Sequence, residues 1–178
     1  MATTTETIAP AGTWQLDPIH STVSFEVDYL AGTFKGQFRD VAANLEVGDS
    51  TRLAGEAKVA SVDVKDENLA THLQSPDFFD AERHPELRFT AEDIRLNGDA
   101  VSVDGEITIK GVTKPVTIAG TAAGPMTDYT GNERIALKVA TAIDRTDFGV
   151  DWNMPLPTGQ QALSNDVTII GDLYFVKA

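Results

Sequence analysis

Three histidines are the residues of this chain best suited to acid–base or metal chemistry, and their spacing supports neither. His20, His72 and His84 are scattered, and none belongs to a His-x-x-x-His pair that would present two imidazoles on one helix face. Asp17, His20 and Ser21 contain the residue types of a nucleophilic triad. They fall within one turn, too close along the chain to assemble that geometry by themselves, and no Gly-x-Ser-x-Gly elbow occurs. Asp77, Asp80 and Glu82 lack the spacing of a calcium loop. The other dense polar group is Asp144-Arg145-Thr146-Asp147-Phe148-Gly149. An Arg between two Asp reads as a buried ion pair or a turn clamp rather than a catalytic base. No glycine-rich phosphate cradle is present. The expectation is a protein with no catalytic residues, no metal and no cofactor.

What stands out instead is apolar. Ser75 to Phe89 carries two adjacent rings, Phe78 and Phe79, between Pro76 and Pro85. Proline fixes φ and restrains the residue before it, so the stretch is neither a regular helix nor a central strand. A loop holding two large apolar side chains needs something to bury them in. It is either a plug closing one end of a β core or a lip over an apolar cavity.

The elements that would position these rings are strands. Residues 20–29 alternate, with Val23, Phe25, Val27 and Tyr29 on one face and Ser24, Glu26 and Asp28 on the other. Phe34 and Phe38 follow with common parity, among Gly32 and Gly36. Short strands are expected over 13–16 and 42–47, and a long one over 53–64 whose small residues leave room on a concave face. Asp66 to Leu73 is the one good helix, with Asp66 as N-cap and Leu69, Ala70 and Leu73 as an apolar stripe. Strands follow over 86–96, 101–110, 112–122, 135–143 and 167–177. Asn97-Gly98-Asp99 is a hairpin turn, and Pro115 places the start of its strand at an edge or bulge. Residues 144–159 are irregular and carry Phe148 and Trp152. Eight to ten strands, one short helix and a turn every dozen residues predict an all-β antiparallel sandwich or barrel, and the length of the strands favours a barrel of about eight strands. A barrel of that size can hold one small ligand. Its inward residues are Phe25, Val27, Phe34, Phe38, Phe89, Val103, Ile107 and Ile109, with Phe78, Phe79, Phe148 and Trp152 placed to meet over one end. Periodicity alone leaves a packed and a hollow interior equally open.

Composition narrows the partners. The chain has 178 residues, no cysteine, and 14 basic against 27 acidic residues for a net charge of −13. Disulfide and thiolate chemistry are excluded. So large an acidic excess repels phosphate backbones and anionic headgroups, which disfavours nucleic acid and electrostatic membrane docking. No apolar stretch approaches the roughly 18 residues of a transmembrane helix. The start has neither a basic nor an apolar signal region, so the chain reads as cytoplasmic, or as periplasmic or secreted if a signal has been removed. Residues 1–11 are expected to be a flexible start, and 12–178 a single domain.

The order of motifs resembles the YceI-like, or polyisoprenoid-binding, family from Trp14 to Val176. The first matching pieces are Trp14-x-Leu16-Asp17-Pro18-x-His20-Ser21-x-Val23-x-Phe25-x-Val27 and Thr33-Phe34-x-Gly36-x-Phe38. Leu73-x-Ser75-Pro76-x-Phe78-Phe79-Asp80-Ala81 and Pro85-x-Leu87-x-Phe89 follow. Gly105-x-Ile107-Thr108-Ile109-x-Gly111-Val112-Thr113-Lys114-Pro115-Val116 and Arg145-Thr146-Asp147-Phe148-Gly149 complete the set. One departure is Tyr29, where the family often has His, so a polar role for that His does not carry over. The resemblance implies a lipocalin-like barrel, often a homodimer, binding a long isoprenoid such as a quinone tail or polyprenyl chain, without catalysis or stable membrane insertion. Phe25, Val27, Phe34, Phe38, Phe78, Phe79, Phe89, Ile107, Ile109, Phe148 and Trp152 are the expected ligand contacts. The alternative is a ligand-free β-barrel serving stress response or protein interaction.

Overall fold

Period-two alternation organises the computed structural model, which describes residues 8–178. Its strands are β1 (Gly12–Leu16), β2 (Thr22–Tyr29), β3 (Gly32–Phe38), β4 (Val41–Val47), β5 (Thr51–Lys58) and β6 (Val62–Asp63). They continue, after helix α1 (Glu67–Gln74), as β7 (Glu86–Glu92), β8 (Arg95–Asn97), β9 (Ala100–Ile109), β10 (Val112–Thr127), β11 (Glu133–Asp144) and β12 (Leu163–Lys177).

These strands make eight staves. β1 and β2 lie end to end on one edge of β12, with Leu16 opposite Phe175 and Val27 opposite Val167. β4 and β3 pair back along them, and β5 and β6 form a third broken stave. The three breaks lie side by side: residues 17–21, residues 39–40, and the 3-10 turn Val59–Ser61. β7, β9, β10 and β11 continue the ring to β12, with β8 as a short arm on β9. The pairing of β1 with both β4 and β12 closes it. Every pairing is antiparallel and chain neighbours are spatial neighbours, which is the expected closed eight-stave barrel with one helix.

Two expected strands are interrupted. The stretch 53–64 breaks at the 3-10 turn Val59–Ser61, where the Val62 N–H bonds the Val59 carbonyl and the Ser61 hydroxyl donates to the Lys58 carbonyl (2.6 Å), and the Val59 side chain is buried. The stretch 86–96 breaks at Asp93, whose φ of 56° lies in the left-handed region and whose N–H reaches the Thr51 carbonyl (2.8 Å). Pro115 sits where β10 pairs β9 but has not yet met β11, whose pairing begins at Ala119. Its missing donor is therefore on an edge, as expected. Asp66 caps α1, its side chain accepting from the Leu69 N–H at 3.0 Å.

The base of the barrel gathers the turns at 48–50, 93–99 and 128–132. Its core holds Trp14, Leu45, Leu137 and Phe175, all essentially without exposure. Residues 1–7 of the start read as flexible lie outside the described residues. Ile8 and Ala9, from the same stretch, are buried in this core, because Ile8 is apolar and the Trp14 indole N–H donates to the Pro10 carbonyl at 3.0 Å. The opposite end gathers the β2–β3 turn, α1 with residues 75–85, the β9–β10 turn and residues 145–162. Among the described residues no helix is long and apolar enough to cross a membrane.

A polar clamp ties the base together on the outside. Arg134 donates to Asp17 (2.9 Å) and to Asp128 (2.5 Å), joining the β1–β2 break to the β10–β11 turn. The Thr130 hydroxyl and the Arg134 guanidinium hold the Asp128 carboxyl far below the usual carboxylate range. Burial alone would raise Asp17, but hydrogen bonds from His20, the Ile19 N–H and Arg134 outweigh it and leave it lowered. Carboxyls depressed in the fold contribute stability that is present above their unfolded pKa and lost as pH falls through the folded value. The melting temperature is therefore expected to decline steadily below about pH 5. In Arg134→Met it should be lower at neutral pH and decline less steeply; an unchanged slope would refute the clamp.

Candidate functional site

The inward positions of the staves enclose an elongated cavity of about 440 Å³, lined almost wholly by apolar side chains. It lies between two core clusters, one at the base around Trp14 and Phe175, the other at the far end around Phe38, Phe78 and Phe148. Glycines help to keep it open. Gly36 is the cross-strand partner of Phe25, and a Cβ there would lie 2.5 Å from Phe25 Cζ. A Cβ on Gly105 would lie 2.8 Å from Phe89 Cζ. Each Phe ring thus lies against bare backbone rather than reaching into the lumen. Ala43, Gly55 and Ala57 keep another part of the wall thin.

All eleven apolar residues singled out from the sequence border this cavity: Phe25, Val27, Phe34, Phe38, Phe78, Phe79, Phe89, Ile107, Ile109, Phe148 and Trp152. The paired rings do different work. Phe79 packs edge-on to Phe25 and Phe38, with centroids 6.4 and 5.7 Å away. Phe78 meets His72 at 4.9 Å and Trp152 at 5.4 Å, and His72 meets Trp152 at 4.8 Å, so these three rings form one cluster joining α1 to the 145–162 segment. The lining also includes residues that the sequence reading did not single out as contacts: Tyr29, Val41, Leu69, His72, Arg145, and Val139, Leu163, Val167 and Ile169 of β11 and β12. The β12 positions alternate like the others. Their signal was present but weaker, because they carry no aromatic ring between Val167 and Leu173.

The histidines occupy three separate places. His20 bonds Asp17 (2.7 Å) on the outer face near the base, His72 bonds Asp77 (3.0 Å), and the His84 ring lies over Gly111. Among the described residues no group of three or more His, Cys, Asp or Glu is arranged to hold a metal. Ser21 Oγ accepts from the Tyr174 N–H (2.9 Å), so it stitches backbone rather than facing His20.

Among the described residues Arg145 is the one charged side chain buried beside the cavity, 5% exposed. It is a clamp on backbone. Nε donates to the Ser164 carbonyl (2.9 Å), and Nη1 donates to the Val150 and Trp152 carbonyls (2.8 Å each). Nη2 is buried without a hydrogen-bond partner. Burial lowers the guanidinium's pKa, against the opposing pull of Asp144 and Asp151. Asp144 instead caps the 3-10 turn Arg145–Phe148, accepting from the Thr146 N–H at 2.9 Å.

Comparison with known proteins places this geometry. A family model described as a YceI-like domain matches residues 14–175. A "UPF0312 protein" of Pseudomonas putida (strain F1) is 32% identical over 161 residues, covering 85% of this chain and 81% of its own. Among solved structures, Burkholderia cenocepacia BcnA superposes with a TM-score of 0.76 at 22% identity, covering 89% of this chain and 98% of its own. A domain of Saccharophagus degradans described as polyisoprenoid binding, and implicated in plant cell wall breakdown, superposes with a TM-score of 0.68 at 12% identity. That superposition covers 93% of this chain and 98% of the other. At these identities the two structures establish the shared fold.

Because Arg145 ties two carbonyls of the 145–162 segment, Val150 and Trp152, to the Ser164 carbonyl of β12, its removal should loosen that segment before the barrel. Arg145→Met is expected to cost about 3–5 kcal/mol, because it leaves three carbonyls without their donor at roughly 1–3 kcal/mol for each buried group left unpaired. Limited proteolysis should then cut within 145–162. A variant as stable and as resistant as the parent would show the clamp to be dispensable.

Proposed function

The chain belongs to the YceI-like family, and from that premise and the cavity we propose that it is a non-enzymatic carrier of an amphiphilic isoprenoid lipid, such as a quinone or polyprenyl chain, held inside the barrel. The observation that carries the reading is the unpacked, apolar 440 Å³. At roughly 24 cal/mol per Å³, leaving such a space unfilled forgoes about 10 kcal/mol of packing. That is comparable to the whole folding stability of a domain. Inward glycines and alanines maintain the loss where larger residues would have removed it. The volume falls within the usual range of small-molecule sites, about 300–1,000 Å³. An apolar wall gives water too few partners to hold it there.

The chemistry of the wall suits a prenyl tail. Each buried methylene gains roughly 0.8 kcal/mol without needing a polar partner. A long chain would gain roughly 20–30 kcal/mol gross on that figure, above the ceiling of about 18–21 kcal/mol on non-covalent affinity, so ordering the flexible tail must offset much of it. The eleven apolar residues are then the ligand contacts, Phe79 deep against Phe25 and Phe38, and Phe34 and Trp152 at the mouth.

Organic-solvent extraction of the purified protein followed by mass spectrometry is expected to recover a prenyl lipid in near-stoichiometric amount. Phe34→Asp, a half-buried position, should retain the fold by circular dichroism and lose most of that lipid. Recovery of no lipid from the parent protein, together with a side-chain-filled interior at high resolution, would favour a ligand-free barrel and overturn the reading.

A further inference from the structure

The cavity mouth has an exposed apolar rim. Tyr29 and Leu30 end the β2 side of the β2–β3 turn and are 47% and 58% exposed, and Met154 on the 145–162 segment is 54% exposed. Backbone contacts make these one surface. The Leu30 N–H donates to the Ala162 carbonyl (2.9 Å), the Ala162 N–H donates to the Met154 carbonyl (2.9 Å), and Tyr29 is the cross-strand partner of Leu163. Tyr29, Leu163 and neighbouring Trp152 border the cavity as well, so the outer rim adjoins the inner wall.

Leu30 is an expensive choice for its place. Its φ of 52° lies in the left-handed region, where Gly or Asn would sit with less strain. A branched apolar side chain in that conformation, more than half exposed, gains little within the fold. Charge narrows what it meets. Residues 28–34 and 150–163 contain Asp28 and Asp151 and no Lys or Arg. On a chain of net charge −13, such a rim repels anionic lipid and nucleic acid. Three side chains also offer far less than the roughly 800 Å² per partner that a stable protein interface buries.

We propose that this rim docks the mouth onto the surface of a bilayer with electrically neutral headgroups, so that cargo passes between membrane and cavity without crossing water. The inference rests on the carrier reading for its purpose, but the docking itself is measurable without cargo. A shallow contact through a few apolar side chains is weak and reversible, as a loading station must be.

The test uses the full chain and cargo-free phosphatidylcholine vesicles in a flotation assay. The parent protein is expected to float with the vesicles. Leu30→Asn combined with Met154→Gln should reduce that partition by at least roughly tenfold, given the transfer free energy of two such side chains. Asn accepts the left-handed backbone, and neither residue borders the cavity, so the variant's circular dichroism should match the parent's. Tyr129→Ser, at the fully exposed base turn, should float as the parent does. Replacing part of the phosphatidylcholine with phosphatidylglycerol should weaken binding. Parent protein that does not float, or a double variant that floats equally well, would overturn the proposal. So would a concentration-dependent dimer abolished by the same substitutions without any vesicle binding, which would assign the rim to a second copy. Absence of extractable lipid alongside intact flotation would instead count against the carrier reading and leave the docking standing.

Discussion

The five-residue strand β1 joins the two ends of the sheet. It pairs with β4 on one side and with the last residues of β12 on the other, and without it both would be free edges. Trp14 holds it in place, fully buried and bonded through its indole N–H to the Pro10 carbonyl, with Ile8 and Ala9 packed into the same cluster. Closure turns alternation into enclosure: every inward residue of every stave faces a common lumen. Eight staves set its width near the limit that side chains alone can fill. Whether it is solid or hollow then depends on a few inward positions.

Those positions carry an unusual pairing of the largest and smallest residues. Phe25 with Gly36 and Phe89 with Gly105 place an aromatic ring against bare backbone of the adjacent stave. Such a ring contributes its apolar area to the wall and little of its length to the lumen. Had Gly36 been a β-branched residue, the Phe25 ring would have been driven inward across the space. The base takes the opposite course, with Trp14, Leu45, Leu137 and Phe175 meeting in a solid plug. The barrel is therefore asymmetric along its axis, sealed by core and clamp at one end and by a loop and helix at the other.

Much of this was legible in the sequence because period-two alternation is a local signal and survives in a meander. Each strand lies beside the one before it, so the order of strands in the chain is their order in space. Seven of the eleven apolar residues, Phe25, Val27, Phe34, Phe38, Phe89, Ile107 and Ile109, could be assigned to the lumen for the same reason, since parity fixes the face once the strand is known; Phe78, Phe79, Phe148 and Trp152 stood out instead as large rings on loops that need a place to be buried. The breaks at Val59–Ser61 and Asp93 were not legible, since one is a single 3-10 turn and the other a single residue in the left-handed region, and neither is marked by a Gly or Pro. Hollowness was not legible either. It depends on which ring lies over which glycine, a relation between strands 11 and 16 residues apart for Phe25–Gly36 and Phe89–Gly105. Arg145 was visible as a clamp, but its partners are backbone carbonyls, which every residue possesses and no motif records.

The stretch from Ser75 to Phe89 shows how plug and lip can be one thing. Phe79 points along the lumen wall to Phe25 and Phe38, closing the space beneath it. Phe78, the adjacent residue, turns to His72 and Trp152 and so fixes α1 against the 145–162 segment. Neighbouring side chains can diverge in this way because the segment is a run of tight turns, with Asp80 in the left-handed region and its N–H on the Ser75 carbonyl. Arg145 holds the other side of the same contact through the Trp152 carbonyl. Access at this end therefore depends on an aromatic cluster whose two halves are held independently, one by the turns after α1 and one by a buried guanidinium. A change in either half moves the mouth without disturbing the ring of staves, which is closed elsewhere.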